Sequence, residues 1–243
     1  AVGRRWLGYG ELTARRADAI ALRIQGRSDG GPAVDYTVNS AVGVADLTGP
    51  EHSAEPVNAV LPAWDLLCGQ EAVAGLLAAL RRRDRTGAGT ELQIALADVA
   101  AAAVADLGWF SEAAERGDRP RQGNHLYGAF GVDFVASDGG RVMVAVLTPR
   151  QWQALCATTG TTEVLAALGR SLGADLDTDD ARFAHREVIA AILRPWFSSH
   201  TTAEVHAALT AGGVLWGPYR TPAGVVADFV ADPAAEPVLT SLD

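Results

Sequence analysis

The sequence predicts a mixed α/β protein. In the first half, short apolar strands at 19–24 and 92–96 alternate with long helical stretches. Phe130–Val135 and Arg141–Leu147 then alternate in the manner of strands around Ser137-Asp138-Gly139-Gly140, a strong β-hairpin signal. From Thr148 onward the periodicity is helical, so a smaller α+β part follows the α/β part.

Each element has a local reason. Trp6–Arg16 reads as a short helix, with Tyr9 and Leu12 at helical spacing. The strand Ala19–Ile24 stops at the turn Gly26–Pro32, and Val34–Val44 leans towards helix. A polar loop, His52–Pro56, leads into Ala59–Gln70, an apolar run with one carboxylate, Asp65. Pro62 fits the first turn of a helix and breaks its interior, so Asp65 lies near a helix start. That helix covers roughly Leu66 to Arg82, and Arg81-Arg82-Arg83 complement its dipole. After the turn Thr86–Gly89 and the strand Leu92–Leu96, Asp98 is a candidate cap for a helix reaching about Glu115. Gly117–Asn124 ends it. Further helices are expected at Pro149–Thr158, Thr162–Leu172, Ala181–Ser199 and Ala203–Ala211, the last capped by Thr202. A short strand, Val214–Trp216, precedes a final helix, Pro222–Val230. The tail from Asp232 reads as the start of a further connection.

Composition removes several function classes. All 20 basic residues are Arg, which leaves no Schiff-base lysine in the chain. A net charge of −9 argues against nucleic acid as a partner. No apolar run approaches the ~20 residues of a membrane span, so no membrane partner is expected. No signal peptide is visible, and two cysteines, Cys68 and Cys156, fit a reducing cytoplasm. The five histidines show no metal-ligand spacing, so no metal is expected. P-loop and GxGxxG patterns are lacking too.

Two stretches are chemically unusual. Asp65, among apolar neighbours at a helix start, is either a cap or a nucleophile kept ionised in a water-poor place; capping is the commoner role. Arg121–Gly131 mixes glycines, aromatics and hydrogen-bonding groups, which suits a ligand-covering loop or an ordinary connection. Cys68, one turn after Asp65, reads as packing.

Several stretches in order resemble the family III CoA-transferases, the group that also contains α-methylacyl-CoA racemase. They are Trp6–Leu12, Val34-Asp35-Tyr36, Trp64–Gly69, Arg85–Gly89, Ile94–Asp98, Arg121–Asn124 and the Asp138-Gly139 hairpin. The resemblance covers nearly the whole chain. It implies part of a Rossmann-like large domain with a linker helix over 1–110, then a small α+β domain over 111–243, with the chain truncated at both ends. It implies Asp65 as the catalytic nucleophile, working through a mixed anhydride and an aspartyl-CoA thioester. Ala33, Val34, Asp35 and Tyr36 match the family's CoA-contacting segment. Tyr127, Gly128, Ala129 and Phe130 match its loop over the catalytic aspartate. The racemase branch carries a histidine where this chain has Val34, which cannot move a proton, so transferase chemistry is favoured. The expected partners are an acyl-CoA and a carboxylic acid, with a homodimer in the full-length form and no cofactor beyond CoA within the substrate. Expected activity is intramolecular movement of CoA between the carboxyl groups of a methyl-branched unsaturated diacid. The alternatives are intermolecular transfer and a non-catalytic fragment.

Overall fold

The computed structural model describes residues 8–231, the side chains of 229–231 aside. Trp6 and the tail from Asp232 lie outside the described residues. The order is α1 (Tyr9–Arg15), β1 (Ile20–Gln25), α2 (Asp35–Ala41), α3 (Val44–Leu47), α4 (Ala63–Thr86), β2 (Thr90–Ala95), α5 (Leu96–Asp106) and α6 (Trp109–Arg116). Then come β3 (Phe130–Val135), β4 (Arg141–Val146), α7 (Pro149–Thr158), α8 (Thr162–Leu172), α9 (Asp179–Ala184), α10 (Arg186–Ser198), α11 (Thr202–Ala211), β5 (Leu215–Pro218) and α12 (Pro222–Ala231). The chain divides into two compact units between Gly123 and Asn124.

In the first unit β1 and β2 pair in parallel, Leu22 opposite Leu92 and Ile24 opposite Ile94. A parallel pair needs a crossover, and α2, α3 and α4 form it. The core is small: Val38, Cys68, Leu96 and Ala100, with Ala33, Trp64 and Ile94 against them. Helix α4 packs on β1, β2, α2 and α5. Among the described residues it alone is long and apolar enough, by length and composition, to cross a membrane. The reason is continuity: the helix runs unbroken through Gln70-Glu71 to the left-handed Gly87.

The second unit is an antiparallel sheet in the order β3-β4-β5. Phe130, Val132 and Phe134 alternate inward on β3, and Val142, Val144 and Val146 on β4. Leu155, Ile189, Leu193, Phe197 and Leu209 from the helices close that core, with Phe134 and Phe197 stacked at 4.1 Å.

Four boundaries differ from expectation. The helix expected from Asp98 to Glu115 is two helices, parted at the left-handed Gly108. Asp98 sits in the first turn of α5 and Ala95 takes the cap position. The helix expected over Ala181–Ser199 parts at His185, which ends α9 and starts α10. Thr201 rather than Thr202 caps α11, because Glu204 reaches back to the Thr201 N–H at 2.8 Å.

Thr202 is engaged elsewhere. Its N–H and hydroxyl donate to the Asp138 carboxylate at the hairpin tip. Gly140 is required there, since a Cβ would come within 1.8 Å of Thr202 Oγ1. The Thr202 hydroxyl and then its N–H hold the Asp138 carboxyl below its ordinary value. A depressed folded-state pKa contributes stability above the unfolded value near 4, which is lost as pH falls through the folded one. Asp138→Asn is therefore expected to flatten the acid limb of thermal stability below about pH 4. A melting series from pH 7 to pH 2 checks it; parallel curves for the two proteins would reject the tip contact.

Candidate active site

Helix α4 begins after a proline. Pro62 holds the cap position and supplies no side-chain acceptor for the first-turn N–H groups. The acceptor comes from α2. Oδ2 of Asp35 accepts from Trp64 N at 2.8 Å and from Asp65 N at 3.2 Å. One turn along α2, Asn39 Oδ1 accepts the Trp64 indole N–H at 3.0 Å. The Asn39 amide donates to Asn58 Oδ1, and Asn58 Nδ2 donates to the Tyr36 carbonyl at 3.4 Å. Asp35 and Asn39 are 4% and 2% exposed, so this end of the network is buried, whereas Asn58 is exposed. A carboxylate buried there costs little because N–H groups at a helix N-terminus satisfy it.

Asp65 stands in the first turn of α4 and is exposed. This corrects the expectation of a water-poor setting. The buried stripe of α4 runs through Cys68, Ala72 and Ala79. Asp65, one turn before Cys68, stands past the end of that stripe, and exposed Leu61 and Leu66 flank it. A groove of about 580 Å³ beside α4 is lined by Leu67, Glu71, Leu92, Ile94 and Asp98 among others, and not by Asp65. The Cys68 thiol is pushed up by burial and then by the charges of Asp65 and Glu71, which fits the packing role read from sequence.

The other segment residues divide. Ala33 packs against the core of the first unit. Val34 precedes α2 in extended conformation and is exposed, its N–H bonded to the Thr37 hydroxyl at 3.1 Å. Tyr36 is exposed, whereas Asp35 points inward to α4. The structure thus brings Ala33–Tyr36 to the Asp65 end of α4 through Asp35.

Arg121 opens the stretch read as either a ligand-covering loop or an ordinary connection, and its own role is structural. Its guanidinium is almost fully buried and donates to the carbonyls of Asp46, Ser53 and Glu55 and to the Asp46 carboxylate. It ties down the loop that leads to α4.

Tyr127, Gly128, Ala129 and Phe130 belong to the second unit. Tyr127 is half exposed and meets Phe183 edge-on at 5.6 Å. Gly128 takes a left-handed φ of 73°. Ala129 and Phe130 are buried, and Phe130 starts β3 with its ring against Trp152. His125 pairs with Glu187 at 2.7 Å. Among the described residues no group of His, Cys, Asp and Glu is placed to hold a metal ion.

Sequence reasoning missed Asn39, Asn58 and the capping role of Asp35. The one local signal is the i, i+4 spacing of Asp35 and Asn39, which puts two polar side chains on one face of a short helix.

Residues 4–234 match CoA-transferase family III, and the chain belongs to that family. It is 50% identical over 219 residues to 2-methylfumaryl-CoA isomerase of Chloroflexus aurantiacus, covering 90% of this chain and 54% of that protein. It is 26% identical over 199 residues to succinyl-CoA:mesaconate CoA-transferase of Haloarcula marismortui, covering 78% of this chain and 48% of that one. A CaiB/BaiF family protein from Brucella suis matches in structure with a TM-score of 0.70 and 26% identity, over 96% of this chain and 60% of its own. Rv3272 of M. tuberculosis has the same fold, with a TM-score of 0.74 at 21% identity over 93% of this chain and 60% of its own. The chain spans about half the length of the curated relatives it matches.

Proposed function

We propose that the protein carrying this chain moves CoA between the two carboxyl groups of a methyl-branched unsaturated diacid, with Asp65 as nucleophile. The observation that carries this reading is the 50% identity to 2-methylfumaryl-CoA isomerase, against 26% to the intermolecular transferase. The exposed, braced position of Asp65 suits an attacking group.

The chemistry balances without a proton donor. The Asp65 carboxylate attacks the thioester carbonyl; a C–O bond forms, the C–S bond breaks and CoA leaves as thiolate. The product is an anhydride between the acyl group and Asp65. The thiolate attacks the Asp65 carbonyl, giving an aspartyl-CoA thioester and the free carboxylate of the diacid. The diacid's other carboxylate attacks that thioester, expelling the thiolate and forming a second anhydride. The thiolate attacks its acyl carbonyl, releasing the isomeric thioester and restoring Asp65. Each step replaces one difficult exchange with an easier covalent one. Water must be kept from the anhydrides, so the exposed apolar side chains of Leu61 and Leu66 must be dried when substrate binds.

In this reading Ala33, Val34 and Tyr36 lie along the CoA while Asp35 turns inward to α4, and Tyr127, Gly128, Ala129 and Phe130 match the family's loop over the catalytic aspartate. Buried Ala129 and Phe130 leave Tyr127 and Gly128 as its accessible members. CoA arrives within the substrate and no other cofactor is invoked. A cytoplasmic homodimer belongs to the same reading. Val34 at the position of the racemase histidine disfavours racemisation. The test is turnover of 2-methylfumaryl-CoA by the native full chain, with and without free acids. A rate independent of added acid, with no labelled free acid entering the product, is expected. Dependence on an acceptor would replace this reading with intermolecular transfer.

A further inference from the structure

Asp35 spends its carboxylate on another helix. It is the first residue of α2 and 4% exposed. The backbone N–H groups it accepts lie 29 and 30 positions away, and one of them is the N–H of Asp65 itself. Pro62 gives α4 no cap of its own, so Asp35 is the side chain that closes this helix start. Asn39, on the same face of α2, takes the Trp64 indole and so holds the same turn from a second point.

We propose that Asp35 is a positioning residue for Asp65. This rests on the nucleophile reading above. The first turn of a helix frays unless its N–H groups are bonded, and the direction of a side chain there follows the backbone that carries it. By accepting from the amide of Asp65, Asp35 fixes the angle at which the Asp65 carboxylate leaves the helix. Misplacement of a reacting group by about 1 Å costs on the order of 100-fold in rate. The function of Asp35 is therefore in the rate of acyl transfer to Asp65 and not in holding CoA.

Three variants in the native full chain test this with 2-methylfumaryl-CoA as probe. Asp35→Ala removes the acceptor and is expected to lower kcat by about 10- to 100-fold with KM changed less than about threefold. Asp35→Asn keeps an oxygen in the same place and is expected to recover most of kcat. Asp35→Glu moves the carboxylate by one methylene and is expected to lose rate like Asp35→Ala, which decides the matter if the alanine variant does not fold. Wild-type kcat in Asp35→Ala or Asp35→Glu, or no recovery in Asp35→Asn, overturns the proposal. So does a loss that appears in KM alone. Asp65→Ala is run beside them. If it keeps full activity, the nucleophile reading fails and this inference falls with it. If it is dead while Asp35→Ala is fully active, only the positioning role is rejected.

Discussion

If the proposed nucleophile role holds, Asp65→Ala in the native full chain is expected to lower turnover of 2-methylfumaryl-CoA by on the order of 10⁴-fold or more while the fold persists. The size follows from the chemistry: methyl in place of carboxylate leaves no group to form the anhydride, and no neighbour takes over. Cys68 lies one turn away, buried, with its thiol pushed up, so it cannot serve as a substitute nucleophile. Retention of fold is expected because Asp65 is exposed and its backbone N–H, which Asp35 accepts, survives the change. Hydroxylamine added with the acyl-CoA should modify Asp65 alone in the wild type and nothing in the variant. Full activity in Asp65→Ala would end the assignment, and modification at another residue would name its replacement.

The second large effect concerns stability. Arg182 is fully buried in the second unit. Its Nη1 donates to the Leu176 carbonyl at 2.8 Å, Nη2 pairs with Asp179, and the guanidinium lies 5.6 Å from the Trp152 ring centre. Arg182→Ala leaves that carbonyl without its donor and opens a cavity beside Trp152. Together these cost about 2–4 kcal/mol. The Asp179 carboxylate, half exposed, returns to water at small further cost. Denaturant melts of the full chain should show the midpoint of the second unit falling while the slope is kept. A shift of less than about 0.5 kcal/mol would mean that the guanidinium is dispensable packing.

Much of the fold was legible because it is written locally. The hairpin at Ser137–Gly140 and helices α7 and α8 follow from turn residues and apolar spacing within a few positions. The misreadings arose where short-range pattern is blind. Gly108 and His185 break helices whose apolar period runs on across them. The candidate site was legible in one respect, the placing of Asp65 at a helix start. Its bracing was not, because Asp35 and Arg121 act on backbone groups 29 to 75 residues away. Its exposure was not either. Apolar neighbours in sequence say that a helix is greasy, and only the buried stripe through Cys68 and Ala72 says which side faces water.

Arg121 gathers three backbone carbonyls under one planar group, and Arg182 holds a fourth. An ammonium is a compact point charge with no rigid fork to span such a set, so a lysine at either place would leave oxygens stranded. A chain whose every cation is arginine can thus turn charge into internal fastening.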